Sequence, residues 1–260
     1  METSKTVANA LRFLECLTRE DPVLTIAALT RHLGLPRTNV LRLASTLEAF
    51  RLIEREPGGG YRVGIRAFEL GSLYLMSNPV SELVGKALDD LVVATQCTAY
   101  LGILEKDEAV ILMCREGSLP VRFVWQAGAR LPSTTTALGK AILMHLPPAE
   151  LETQLGGHKP LRTLTPHSLH SYKDLERDLR AARRRGWSLA REESHAGLTA
   201  VGAAIIDSSD HAIAGISLSY LDHPPDAARR EQLAALIRET AGRVSARLCE
   251  YRPYGGAHLP

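Results

Sequence analysis

Arg37, Thr38, Asn39, Arg42, Ser45 and Thr46 fall on one side of a segment whose other side carries Val40, Leu43 and Leu47. That is the period of a helix with one apolar face. Arginine pairs bidentately with guanine, asparagine with adenine, and small hydroxyls reach phosphate oxygens or base edges. The strip therefore has the chemistry of base reading, although a solvated face on a small helical bundle has the same pattern. A second concentration is Thr134-Thr135-Thr136, followed by Ala137-Leu138-Gly139-Lys140. It reads as a loop entering a helix, where free backbone N–H groups hold a carboxylate or where the threonines simply cap. Gly139-Lys140 is not a phosphate loop, because position 134 is Thr where that motif needs glycine.

Catalytic constellations are not evident. No G-x-S-x-G elbow, H-E-x-x-H or G-x-G-x-x-G string is present. His145, His195 and His211 stand alone, and His158, His167 and His170 lack metal-ligand spacing. Cys16, Cys97, Cys114 and Cys249 are scattered with no C-x-x-C pair, which gives neither a zinc cluster nor a disulfide framework. No catalytic residue, metal site or cofactor is expected. Two competing readings remain: a small-molecule-metabolising enzyme whose helix-turn-helix serves oligomerisation, and an interaction module that dimerises through it.

The elements around the first strip support DNA recognition. Val7, Leu11, Leu14 and Leu17 predict a helix over 5–18, ended by Asp21-Pro22. Thr25 caps a short helix that Gly34 stops, and Leu35-Pro36 opens the third. Two short helices about a glycine-containing turn form a helix-turn-helix, whose second helix enters the major groove. Residues 52–56 and 61–63 are strand-like runs joined by Pro57-Gly58-Gly59-Gly60, a wing carrying Arg55 and Arg62. An amphipathic helix over 66–76 follows and is broken by Asn78-Pro79; its apolar face packs either on its own domain or on a second subunit.

From residue 80 the pattern turns to mixed α and β. A helix is predicted near 81–95, then strands at 99–104, 109–113 and 121–125, the first two joined by a tight polar hairpin that implies antiparallel pairing. A helix over 168–185 ends in Arg183-Arg184-Arg185-Gly186, strands follow at 198–206 and 211–220, and a last helix spans 226–250. The expected organisation is a winged helix-turn-helix in 1–65, a linker helix in 66–79, an α/β sensor with an antiparallel sheet in 80–250, and a loose tail in 251–260. A length of 260 residues suits two domains, and 45% hydrophobic with 23% charged residues is ordinary for a globular chain. The net charge of +2 decides nothing about nucleic acid. No secretory leader and no bilayer-length apolar run is read, so a cytoplasmic location with no membrane partner is expected.

Several distant strings together resemble the IclR family of bacterial transcription regulators over nearly the whole chain. They are Leu35-Pro36-Arg37-Thr38-Asn39-Val40-Leu41-Arg42-Leu43, Thr136-Ala137-Leu138-Gly139-Lys140-Ala141, and Gly186-Trp187-Ser188-Leu189-Ala190-Arg191-Glu192-Glu193 continued by Gly197 to Asp207. The resemblance implies an α+β two-domain fold: a winged helix-turn-helix and a GAF-like effector domain, assembled as dimers or tetramers on a palindromic double-stranded operator. It also implies that effector is held by backbone N–H groups of Ala137 and Leu138 and by the side chains at Ala190, Ala200, Ser217 and Ser219. An acidic or hydroxyl residue is usual at position 190 and a cysteine frequent at 200, so two polar handles are lost here. A larger, partly apolar organic acid is therefore expected, since unpaired buried polar groups cost about 1–3 kcal/mol each. Its carboxylate would lie near Thr134, Thr135 and Gly139, and its body against Leu119, Trp125, Leu131 and Ala200, with Glu193 of the signature in the same set.

Overall fold

A computed structural model of the chain describes residues 3–77, 79–118, 124–157, 159–222 and 224–250. The chain divides into two compact units, the first ending at Ser77 and the second beginning at Asn78.

In the first unit, α1 (Lys5–Glu15) is followed by β1 (Leu24–Thr25), α2 (Ile26–Leu33), α3 (Arg37–Ala49), β2 (Ile53–Arg55), β3 (Gly60–Val63) and α4 (Ile65–Ser77). α1 stops three residues short of the expected end. There the chain closes a turn in which Thr18 Oγ1 accepts from Asp21 N at 3.1 Å, a bond that competes with helix. Thr25 caps α2 by accepting from Ala28 N at 3.3 Å, and Gly34 ends it at φ 65°, a left-handed value that glycine takes without strain. Phe13, Leu29, Leu33, Val40, Leu43, Leu47, Ile53 and Tyr61 form the core. β3 is the middle strand of a three-stranded antiparallel sheet, pairing β1 through Leu24↔Tyr61 and β2 through Glu54↔Arg62. α4 buries no residue within this unit and exposes Phe68, Leu73 and Met76.

The second unit continues with α5 (Pro79–Thr95), β4 (Thr98–Glu105), β5 (Glu108–Arg115) and β6 (Arg130–Pro132). A single 3-10 turn, Ser133–Thr135, leads into α6 (Ala137–Leu143), α7 (Pro148–Gln154) and α8 (Tyr172–Arg185). β7 (Ser188–Arg191), β8 (Leu198–Ile206), β9 (Ala212–Leu221) and α9 (Ala227–Glu250) complete it. The six strands form one antiparallel sheet in the order β6-β5-β4-β9-β8-β7. Side chains alternate across each strand. Ala99, Leu101, Ile216 and Leu218 pack into the core that also takes Leu88, Leu233 and Ile237 of α5 and α9. Tyr100 points the other way, toward Leu138 and Ile142 of α6.

This is the α+β two-domain architecture expected from the sequence. Several short elements differ. Val124 and Trp125 belong to no strand, residues 121–123 lie outside the described residues, and the edge place beside β5 is taken by Arg130–Pro132. β1, α7 and the edge strand β7 were not anticipated, and α8 begins at Tyr172, where Ser171 caps it, rather than at 168. The expected tail, 251–260, lies outside the described residues.

α6 sits on the sheet more closely than a helix on ordinary side chains, and the reason is glycine. A Cβ on Gly202 would stand 2.7 Å from the Ala137 carbonyl oxygen, and one on Gly215 would stand 2.8 Å from that of Leu138. Gly102, paired to Gly215 across β4 and β9, would meet Leu138 side-chain carbons at 3.1 Å. Gly139 belongs to the same device, since a Cβ there would lie 2.3 Å from the Ser133 carbonyl oxygen. Overpacking a tight core by one methyl typically costs about 1–3 kcal/mol. Gly215→Ala is accordingly expected to lower the thermal midpoint by that free energy. Gly71→Ala, on helix α4 where a Cβ meets nothing within 4 Å, gains up to about 1 kcal/mol from helix propensity. Equal melting of Gly215→Ala and the wild type would rule out the seating of α6 on glycine.

Candidate nucleic-acid interface and ligand cavity

The exposed face of α3 carries Arg37, Thr38, Asn39, Arg42, Ser45 and Thr46, while Val40, Leu43, Ala44 and Leu47 are buried beneath it. Asn39 and Arg42 also line a concavity of about 180 Å³ whose other wall is Thr6 and Asn9 of α1. Those two α1 residues were missed in the sequence because they belong to a different helix. Thr46 Oγ1 donates to the Arg42 carbonyl at 3.0 Å, which spends its proton within the helix.

The wing differs from a simple basic hairpin. Arg55 is exposed, but Arg62 lies between two carboxylates, 3.1 Å from Glu54 Oε2 and 2.9 Å from Glu56 Oε1. Glu54 also accepts from Ile65 N, the first residue of α4, at 3.3 Å. The Arg62 guanidinium, followed by the Ile65 N–H, holds the Glu54 carboxyl below its ordinary value. Arg62, half exposed, would therefore meet a phosphate with its charge already shared with two carboxylates of the hairpin.

In the second unit, a cavity of about 30 Å³ lies under the first turn of α6, room for one or two water-sized occupants. Its walls are Tyr100, Ile111, Trp125 and Leu131 on one side, Thr136, Ala137 and Leu138 of the α6 entry above, and Ser194, Leu198, Ala200, Ser217 and Ser219 on the other. Ser217 and Ser219 are one strand period apart on β9, flanked by Tyr100 on β4 and Ala200 on β8. Both serines are about 95% buried, at 4% and 5% exposure, and neither hydroxyl hydrogen-bonds to another described residue. Both line the cavity, where water or a ligand can meet their hydroxyls. Thr136 caps α6 by accepting from Gly139 N at 2.9 Å, whereas the N–H groups of Ala137 and Leu138 precede the first intrahelical acceptor. Burial raises the Tyr100 phenol above its ordinary value, so it stays neutral, and its oxygen accepts from Trp125 N at 3.3 Å.

The cavity brings together Trp125, Leu131, Ala137, Leu138, Ala200, Ser217 and Ser219 of the expected effector set. It leaves five other described residues aside. Thr134 lines a separate open groove with Lys106 and Lys159. Thr135 Oγ1 is buried and donates to the Pro132 carbonyl at 2.9 Å, and Gly139 packs against the Ser133 backbone. Ala190 is buried across from Ala200 on the neighbouring strand β7. Leu119 lies outside the described residues. Tyr100, Ile111, Thr136, Ser194 and Leu198 complete the walls and were not foreseen. For Tyr100 the period-two pattern of β4 held the signal, because it alternates with the core-facing Ala99 and Leu101.

Glu193, the fifth, has another role. Its carboxylate takes Lys140 Nζ at 2.8 and 3.0 Å, and Asp178 Oδ2 stands 2.9 Å from the same nitrogen. The Lys140 side chain is 1% exposed. Burial pushes the Glu193 carboxyl up from its ordinary value against the downward pull of Lys140. Behind this cluster, Ser168 Oγ donates to the Glu193 carbonyl at 2.7 Å and Thr165 Oγ1 to the Glu192 carbonyl at 2.6 Å. The turn that brings Ser194 and Leu198 to the cavity is therefore tied to α6 by a buried cation.

Comparison with known proteins agrees with both halves. Residues 72–246 match the family described as "Bacterial transcriptional regulator IclR C-terminal", and residues 6–57 match the "IclR helix-turn-helix domain". The chain belongs to the IclR family. The HTH-type transcriptional regulator XynR of Escherichia coli K12 is 31% identical over 238 residues, 90% of this chain and 94% of XynR. The transcriptional repressor AllR of Klebsiella pneumoniae is 27% identical over 246 residues, 94% of this chain and 90% of AllR. The same fold appears in an IclR homolog from Microbacterium hydrocarbonoxydans solved with 4-hydroxybenzoate, with a TM-score of 0.83 at 23% identity, covering 95% of this chain and 100% of that one. This IclR-family regulator thus joins a DNA-binding helix-turn-helix to an effector-binding domain. Among the described residues no helix is long and apolar enough to cross a membrane.

Two outcomes follow from the charges. Removing one partner of a buried pair typically costs about 3–5 kcal/mol, because the other charges stay buried and unpaired. Lys140→Met should destabilise by that amount in urea unfolding, and Lys140→Met with Asp178→Asn and Glu193→Gln should recover most of it. Wild-type stability of the single variant would refute the ion cluster. On the wing, Glu54→Gln with Glu56→Gln frees Arg62. Duplex DNA affinity at low salt should rise, and the slope of log K against log salt should steepen by about one unit. An unchanged slope by fluorescence anisotropy would show that Arg62 is not near phosphate.

Proposed function

We propose that this regulator binds a palindromic operator as a homo-oligomer, a dimer or tetramer, and releases or grips it in response to a small organic acid with an apolar, aromatic body. On this reading it controls a catabolic operon in the cytoplasm and does no chemistry on its ligand. The observation that carries the effector assignment is the pair of serines, Ser217 and Ser219, which line without a protein hydrogen bond a cavity otherwise walled by Ile111, Trp125, Leu131, Leu138, Leu198 and Ala200. Few polar groups converging in an apolar cavity is the general form of a small-molecule site. Alanine at 200 removes a polar handle and leaves room for carbon. The 4-hydroxybenzoate held by a relative of the same fold supports the aromatic class.

The carboxylate lies at the N–H groups of Ala137 and Leu138 with the serine hydroxyls beside it. A cavity of about 30 Å³ is smaller than any such acid, so ligand selects a wider state in which the Trp125 and Ser194 walls stand apart. The exposed apolar side chains of α4 offer a surface for a second copy. Two recognition helices must then stand about 34–36 Å apart to enter successive major grooves, so a change of spacing between copies alters operator affinity.

A thermal-shift screen of aromatic and aliphatic acids tests this. Ligand at 100 times its Kd adds about 2.7 kcal/mol of stability. An aromatic acid should raise the melting temperature, change operator affinity, and be recovered chemically unchanged. Ser217→Ala with Ser219→Ala should weaken it at least tenfold, since each hydrogen bond to a charged group is worth about 1.5–3 kcal/mol. Arg42→Ala should cost about 1–3 kcal/mol in operator binding and relax preference at one base pair. Stabilisation by small keto acids alone would overturn the aromatic assignment, and recovery of a converted ligand would overturn the non-enzymatic one.

A further inference from the structure

α3 has one large apolar side chain on the wrong side. Val40, Leu43 and Leu47 are between 0% and 9% exposed, as the core requires, but Leu41 is 42% exposed. It lies one turn from Thr38 and one turn from Ser45, both exposed, and so within the polar strip rather than on the buried face. No pairing within the unit explains it. It is absent from the residues that pack against the first-unit core.

A lone surface leucine is common and costs the folded protein little. Its position changes the reading. Resting on the assignment of α3 to the major groove, this side chain loses its water when the helix docks, as do its polar neighbours. Arg, Asn, Thr and Ser are repaid by hydrogen bonds to base edges or phosphates. Leucine is repaid only by carbon, and the one apolar group that a base pair presents in the major groove is the C5 methyl of thymine. We infer that Leu41 is a specificity-determining residue that selects a T·A pair in each half-site by packing on the thymine methyl. Thr38 and Ser45 hold the flanking positions and Arg42 reads the adjacent pair.

The recognised group is a single methyl, so the test removes it. Duplexes bound by the wild-type chain are enriched from a random pool and sequenced. Each thymine of the resulting site is then replaced by deoxyuridine, which differs only in the missing methyl. At one position per half-site the wild type should lose about fourfold in affinity, the equivalent of roughly 0.8 kcal/mol for one buried carbon. Leu41→Ala should bind thymine and uracil there equally, while Leu41→Met, still apolar, should keep the discrimination. Putting 5-methylcytosine in place of cytosine at that position should restore part of the affinity lost in a T-to-C site for the wild type and not for Leu41→Ala. Equal loss on uracil substitution in wild type and Leu41→Ala at every position would overturn the inference. Failure of the wild type to enrich any sequence overturns instead the DNA-binding reading beneath it, and thermal melting of each variant confirms that the exposed substitution leaves the fold intact.

Discussion

The close seating of α6 on the sheet is the constraint from which the second unit follows. A helix packed through side chains stands well off a sheet, but glycines at 202 and 215 let the Ala137 and Leu138 backbone reach the strands themselves, and Gly102 makes room for the Leu138 side chain. Three consequences are geometric. The first turn of α6 becomes the ceiling of the cavity, so its N–H groups and the β9 serines face the same small volume. Lys140, one turn on, is carried inside, where the carboxylates of Glu193 and Asp178 balance its charge. Glu193 must then come to Lys140, and it brings the turn bearing Ser194 along. The cavity wall is built from a packing requirement and an electrostatic one, linked through a single helix.

The charges sort into those balanced within the fold and those left over. Lys140 is enclosed by Glu193 and Asp178, and Arg62 by Glu54 and Glu56. The first cluster is buried, where breaking it is costly and its value lies in specifying geometry. The second is exposed and adds little to stability, yet it decides how much of the wing's charge a phosphate feels. It also reaches Ile65 through Glu54, so wing and linker helix share a carboxylate. Arg37 and Arg42 have no such acidic partner among the described residues, which leaves the charge of α3 fully available on the proposed DNA-reading face.

What the sequence shows and what it hides divide along physical lines. Elements with a strong period were legible: α2 with its threonine cap and glycine stop, α3 with its two faces, β4 with its alternation, and α9 over 24 residues. β6 and β7, of three and four residues, are too short to show any period, and they exist because neighbouring strands offer them an edge. The cavity was half legible for the same kind of reason. Ser217 and Ser219 came from the family resemblance, and Ala137 and Leu138 from that resemblance and from opening a helix. Glu193 was misplaced because its partner is 53 residues away in the chain, and no local pattern reports a buried ion pair. Thr134, Thr135 and Thr136 look alike in sequence, yet one faces a different groove, one bonds its own turn and one caps α6 at the cavity.

On the proposed reading, the small cavity gives the regulatory logic its energetic form. Two serine hydroxyls that face it without a protein partner exchange water for ligand, and they gain from a ligand only in the state wide enough to admit it. The difference in affinity between closed and open states is the most that the ligand can contribute to shifting the DNA-binding arrangement. A larger apolar body widens that difference in two ways: it buries more carbon in the open state, and it is excluded more completely from the closed one. On the proposed reading, alanine at 200 therefore changes more than the ligand's identity. By trading polar grip for volume, it moves the free energy of recognition from hydrogen bonds, which a small acid could make with little opening, to burial, which requires the walls to part.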